Sequence, residues 1–172
     1  AAIEHGLRLA SEGADILDIG GESTRPGSLP VPPDEQLRRV LPVILGLLRQ
    51  TPVPISIDTS NAAVARGALD AGARIINDVT GLSGDSAMIE VARSTGCGVC
   101  AMHMQGSPRT MQVEPTYEDV VADVIRYLRG RRDALLAAGL HRECIVLDPG
   151  IGFGKTCAHN LALLRSAWRL HA

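Results

Sequence analysis

The sequence predicts an α/β domain built on a parallel sheet, and three observations carry that prediction. Five short β-type runs recur along the 172 residues, at 14–20 (ADILDIG), 54–59 (PISIDT), 74–80 (RIINDVT), 98–104 (GVCAMHM) and 144–150 (CIVLDPG). Each is a block of apolar residues followed by a polar residue and a turn, and none alternates strictly, which predicts strands covered on both faces. Helical patterns separate all five, and strict alternation of strand and helix implies right-handed crossovers between parallel strands.

The elements follow in order. The opening AAIEHGLRLASEG reads as a helix, because Glu4, His5 and Arg8 interrupt any apolar segment of the kind a secretory signal needs. After the first strand, residues 34–49 place Leu37, Val40, Leu41, Ile44 and Leu48 near helical spacing, with Pro42 inside as a candidate kink. Residues 61–71 form the next helix, with Ser60 or Asn61 as N-cap and Gly72 just past its end. Residues 85–95 end at Gly96 in the same manner. Residues 117–138 make the longest helix, closed by Gly139, and residues 158–170 the last. Two architectures remain compatible with this order: a doubly wound open sheet and a (β/α)₈ barrel. No repeat, low-complexity tract or linker marks a second domain, so 1–172 is read as one unit.

Composition narrows the function. About 45% of the chain is apolar, enough for a sizeable core, and the net charge of -2 lacks the basic face that nucleic acid requires. No stretch of about 18 apolar residues exists to span a membrane. Of the four cysteines only Cys97 and Cys100 have a metal-like C-x-x-C spacing, without a second pair. They read as buried free thiols, and with no secretory signal a reducing cytoplasm is expected.

Polar residues gather at the strand C-termini: Asp18 with Glu22, Asp58, Asn77 with Asp78, His103 with Gln105, and Asp148. Parallel α/β folds assemble their sites from these ends and the loops after them. One aspartate there is a cap or turn former; five consecutive strands ending this way indicate a site. Asp18, Glu22 and Asp78 are also readable as structural braces, His103 as a satisfied core residue, and Lys155 as either a surface or a site residue. A ring of acids and amides suits a planar heterocycle with several N–H donors, such as a 2-amino-4-oxopyrimidine. The segment Gly150–Thr156 imitates a phosphate loop, but Pro149 stands where that motif needs glycine. No G-x-G-x-x-G follows the first strand, which argues against a dinucleotide fold. In GGESTRPG (20–27), Arg25 is suited to an anionic phosphate or carboxylate.

At these residues the chain resembles the dihydropteroate synthases. GADILDIGGESTRPG (13–27), PISIDTS (54–60), IINDVTG (75–81), MHMQGSPRTMQ (102–112) and DPGIGFGK (148–155) are similar to that family's motifs, in its order and spacing. The resemblance implies a (β/α)₈ barrel of which about five of eight units are present, and a condensation of 6-hydroxymethyl-7,8-dihydropterin pyrophosphate with p-aminobenzoate that releases pyrophosphate. It implies a pterin pocket of Asp58, Asn77, Met102 and Asp148, with Asp58 and Asp148 stabilising the cation formed as pyrophosphate leaves. Thr24, Arg25 and Pro26 would hold pyrophosphate and p-aminobenzoate, and Gly152 and Phe153 would flank the aminobenzoate ring.

The same resemblance implies Mg²⁺ as cofactor, bound through an asparagine of an N-x-T-P-D-S-F loop that has no match here. The family's K-x-x-S-R and R-x-H motifs are also unmatched. No metal ligand is therefore assigned within these residues, and the chain is expected to be a fragment, inactive or poorly folded alone. A homodimer is the expected assembly of the full-length protein. A methyltetrahydrofolate methyltransferase domain would share the aspartate and asparagine positions but not ESTRPG; an inactive paralogue, or fusion to another folate enzyme, are further alternatives.

Overall fold

A computed structural model of the chain describes residues 1–25 and 27–171. Its main elements are α1 (Ala2–Ser11), β1 (Leu17–Gly20), α2 (Pro33–Leu48), β2 (Ile55–Asp58), α3 (Ala62–Asp70), β3 (Ile75–Asp78), α4 (Met88–Thr95), β4 (Gly98–Met102), α5 (Val120–Ala137), β5 (Ile145–Asp148) and α6 (Cys157–Arg165). All five strands are parallel and pair in the order β1-β2-β3-β4-β5. That order decides between the two architectures. A doubly wound sheet reverses direction at a switch point, whereas a barrel adds each strand beside the last. The described residues form five consecutive β/α units of a barrel arc.

Sequential order also corrects one expectation. Helices do not cover both faces: each right-handed crossover returns on the same side, so among the described residues the helices line one face, and the other is the inner face of the barrel arc. On that side Ile57, Ile76 and Val99 are fully buried against Ile44 and Leu47 of α2 and Leu135 of α5. On the concave side Val146 stays 61% exposed although it lies mid-strand in β5.

The strands are shorter than their apolar runs, because each ladder stops where the chain turns into the site. Pro42 does not break α2, which runs through it from Pro33 to Leu48. Asn61 rather than Ser60 caps α3, accepting from the Ala63 and Val64 amides at 3.0 and 3.1 Å. Helix α4 begins at Met88, since Asp85 and its neighbours form a turn in which that carboxylate accepts from the Ala62 and Ala87 amides. Helix α5 begins at Val120, where the Asp119 side chain caps it. Helix α6 ends at Arg165 and gives way to a 3₁₀ turn over Ala167–His171. Among the described residues, no helix is long and apolar enough to cross a membrane.

Asp78 acts as a brace. Alternation along β3 turns it to the helix side, where it is fully buried. Its carboxylate accepts from the Thr80 amide at 2.8 Å, the Thr80 hydroxyl at 2.9 Å and the Leu82 amide at 3.0 Å. Burial nevertheless pushes its pKa above the ordinary carboxylate value. The turn it holds contains Leu82 at φ 61°, and Arg131 of α5 secures it from outside by donating to the carbonyls of Gly81 and Leu82 at 2.7 and 3.2 Å. Replacing Asp78 with alanine strands three donors and is expected to cost at least about 2 kcal/mol, with asparagine costing less. A urea titration checks this; an unchanged midpoint for Asp78→Ala would show that the brace carries no stability.

Candidate functional site

The strand register builds the site. Gly20 pairs with Asp58, Asp58 with Asn77, Asn77 with Cys100 and Cys100 with Val146; one step further on, Met102 pairs with Asp148. Paired residues of neighbouring strands point to the same face. Asp58, Asn77, Met102 and Asp148 therefore all project from the concave face near the strand C-termini, together with Asp18. Adjacent polar residues separate by the same rule: Asn77 faces the site, Asp78 the helices.

Two acids on this face have defined partners. Asp18 accepts from the Asn77 Nδ2 at 3.0 Å, which fixes the Asn77 amide so that its carbonyl oxygen points away as an acceptor. Asp148 Oδ1 accepts from the Gly150 amide at 2.7 Å. Asp58 is different. Burial, together with the charges of Asp18, Asp78 and Glu22, pushes its pKa up to about 7. Burial, followed by the charges of Asp148 and Asp18, also pushes the Cys100 thiol up to about 11. Cys100 is only half-buried, Cys144 likewise, and Cys157 is exposed, so the expectation of buried thiols holds for Cys97 alone.

Two loops frame the face. The loop after β1 is pegged at both ends: Arg39 donates to the Gly21 carbonyl at 3.0 Å, and the Glu22 carboxylate accepts from the Val31 amide. Glu22 thus anchors its own loop. Thr24 of this loop and Asp58 line a cavity of about 190 Å³ whose other walls include Ser60, Thr80 and Arg109. Arg25 is exposed beside it. Pro26 lies outside the described residues. Asn77 and Asp148 do not line this cavity, whose walls come from the loops after β1, β2, β3 and β4.

The loop after β5 forms the other wall. Gly150, at φ 67°, comes so close to the His103 carbonyl that an added Cβ would lie 2.0 Å from that oxygen. Gly152 and Phe153 follow at the rim, Gly152 exposed and Phe153 half-buried. Side chains of the long β4–α5 loop tie this wall down: Gln112 donates to the Gly152 carbonyl at 2.6 Å and Tyr117 to the Gly154 carbonyl at 2.8 Å. Lys155 is no surface residue, being 3% exposed. His103 is the satisfied core residue it resembled, edge-on to Tyr127 at 4.9 Å between ring centroids. Sequence reasoning passed over Gln112 and Tyr117, since nothing local in a loop shows which distant carbonyl its side chains will meet. Among the described residues, no cluster of three or more His, Cys, Asp or Glu is placed to hold a metal ion.

Carboxylates and an amide share the open face of a barrel arc, an array of acceptors whose chemistry suits a polar, donor-rich heterocycle. The comparisons with known proteins agree: residues 1–171 match the model of the pterin binding enzyme family, and the chain belongs to that family. It is 45% identical over 170 residues to the dihydropteroate synthase of Escherichia coli K12, covering 99% of this chain and 60% of that one. Among solved structures, the Xanthomonas albilineans dihydropteroate synthase with 4-aminobenzoic acid superposes with a TM-score of 0.92 at 48% identity, over 98% of this chain and 59% of that one. The Yersinia pestis dihydropteroate synthase in complex with a sulfonamide drug gives 0.95 at 44%, over 98% and 61%. The chain spans about three fifths of these relatives' length.

The elevated Asp58 pKa sets a sign for ligand binding. A carboxylate must be ionised to accept two adjacent N–H donors, and at about 7 it loses that form as the pH falls. Affinity for a 2-amino-4-oxopteridine is expected to weaken roughly tenfold from pH 8 to pH 6 in calorimetric titrations, in proportion to the ionised fraction. Asp58→Asn should flatten the profile; a wild-type affinity constant across that range excludes Asp58 as the acceptor.

Proposed function

We propose that this chain forms the pterin-binding part of a dihydropteroate synthase, which joins 6-hydroxymethyl-7,8-dihydropterin pyrophosphate to p-aminobenzoate in folate biosynthesis. The observation that supports this most is the shared face of Asp58, Asn77 and Asp148, with the Gly152–Phe153 rim beside it. On this reading Asp58 and Asn77 take the donor-rich edge of the pterin, Asp148 takes a second set of ring N–H groups, and Met102 packs beneath. Gly152 and Phe153 receive the aminobenzoate ring, and Thr24, Arg25 and Pro26 close over the site and hold its anionic groups. The solved Xanthomonas relative with 4-aminobenzoic acid and the Yersinia relative with a sulfonamide drug fit a subsite of this kind. A sulfonamide would compete there with p-aminobenzoate.

The reaction asks little of acid–base chemistry. The bond between the pterin methylene and the pyrophosphate oxygen breaks with its electron pair leaving on pyrophosphate. Positive charge spreads into the reduced ring, where the carboxylates of Asp58 and Asp148 stabilise it. The aniline nitrogen bonds to the methylene and then releases a proton to water. Alignment of the two substrates supplies much of the remaining acceleration. The magnesium ion implied by the resemblance finds no cage of three ligands among the described residues. It would enter bound to the pyrophosphate. A homodimer and a cytoplasmic setting complete the reading.

The test is pyrophosphate release by the full-length gene product given both substrates, with dihydropteroate identified by mass. Asp58→Ala and Asp148→Ala are each expected to lower kcat/KM at least a hundredfold, and Arg25→Ala about tenfold through KM. Folded full-length protein that releases no pyrophosphate would overturn the synthase reading; methyl transfer from methyltetrahydrofolate would favour the methyltransferase alternative.

A further inference from the structure

Lys155 is a long cation in an almost sealed position, 3% exposed, at the start of the turn into α6. No carboxylate lies within salt-bridge distance of it among the described residues. Its Nζ has four acceptors instead: the Phe153 carbonyl at 2.8 Å, the Gly150 carbonyl at 2.9 Å, the His103 Nδ1 at 3.1 Å and the His103 carbonyl at 3.3 Å. An ammonium has three protons, so every donor is engaged and none remains for a bound molecule. Lys155 therefore does not touch substrate. A buried charge held only by neutral acceptors is costly. Its desolvation shows in a pKa lowered to about 8, with the charge of Asp148 opposing the shift. Such a group needs a reason to be there.

The four acceptors supply it. Gly150 and Phe153 are the two ends of the turn that carries Ile151 and Gly152, and one nitrogen grips both. The same nitrogen fixes that turn to His103, the residue that follows β4. Asp148 is held otherwise, by the His103 amide donating to its carbonyl at 2.9 Å and by the Gly150 amide on its side chain. Losing Lys155 would leave those two bonds in place, and the Gln112 and Asn160 bonds to Gly152 with them, while releasing the turn's two ends, the Gly150 and Phe153 carbonyls, from the end of β4.

We propose that Lys155 is the positioning residue of the aminobenzoate subsite: its buried ammonium locks the 150–153 turn onto the end of β4 and so sets where Gly152 and Phe153 meet the aromatic ring, without contacting either substrate. The tie explains why a lysine stands here at all. A shorter or neutral side chain cannot bridge two carbonyls of one turn and two acceptors of a neighbouring strand end. The inference rests on the synthase reading, because that reading assigns the ring to this turn.

The test compares wild-type full-length protein with Lys155→Met, which keeps the apolar stem and removes the donors. KM for p-aminobenzoate, with the pterin substrate saturating, is expected to rise at least tenfold, while KM for the pterin substrate and kcat stay within about threefold. Hydrogen exchange should quicken at Gly152, Phe153 and Gly154 and stay unchanged in β5. Should Lys155→Met fail to fold, Lys155→Ala assayed with ethylammonium provides the second measurement: the added cation should return KM for p-aminobenzoate to within threefold of wild type. An unmoved KM for p-aminobenzoate in folded variant, or equal rises for both substrates, overturns the role of Lys155. Wild-type protein that turns over neither substrate overturns the synthase reading instead, and the exchange comparison then still reports whether the lysine locks the turn.

Discussion

The site depends on the parallel register of the five strands. Because β2 meets β3 with Asp58 opposite Asn77, and β4 meets β5 with Met102 opposite Asp148, residues up to 90 positions apart stand side by side on one face. A slip of one residue in any pair would turn that strand's polar end into the helix layer and its apolar side toward the ligand. The apolar faces prevent the slip. Ile57, Ile76 and Val99 are sealed against the helices, and exposing even one of them would cost about 2 kcal/mol. The chemistry on one side of the sheet is thus kept in place by packing on the other.

That division also explains how the chain tolerates so many buried polar groups. Asp78 and Lys155 are both nearly inaccessible, and both are saturated: one carboxylate by three donors, one ammonium by four acceptors. Each closes the loop that follows a strand. Asp58 is the exception. Burial first, and then the charges of Asp18, Asp78 and Glu22, raise its pKa, and among the described residues no cation is paired with it. An acid in that state is stabilised by whatever brings it donors. The native protein retains a proton there between about pH 4 and 7 that an unfolded aspartate would release, so stability contributed by this group declines as the pH rises through that window. A donor-bearing ligand would offset the desolvation of the ionised form.

Much of this was legible in the sequence. The alternation of elements, the five strand ends and the resemblance of the motifs gave both the barrel and the residues that share its open face. What was not legible depended on parity or on distance. Asn77 and Asp78 are chemically similar neighbours, and only the registration of β3 against β2 decides that one faces the open side of the sheet and the other braces a turn. The same parity, followed from Asn77 to Cys100, would have moved that thiol from the core to the site face. Val146 and Val99 look alike in sequence, and which of them meets the helix layer depends on the side the crossovers take, a property of strand order. Lys155, Gln112 and Tyr117 bond to backbone carbonyls whose positions no local pattern specifies.

The two walls of the site are built on different terms, and the difference bears on how catalysis would proceed. The wall after β5 is locked: Gly150 sits where no other residue fits, and three side chains, Gln112 and Tyr117 from the β4–α5 loop and Lys155 from the wall's own end, close on its carbonyls. The loop after β1 is pegged at its two ends, while its middle bonds mainly within itself, Ser28 to the carbonyls of Ser23 and Arg25. A reaction whose barrier falls by alignment needs one fixed surface against which the second substrate is placed. It also needs a closing element that admits substrates and lets pyrophosphate go. The locked turn has the hydrogen bonds of the first and the arginine-bearing loop those of the second, so the proposed reaction would draw on an unequal distribution of backbone ties rather than on any single catalytic group.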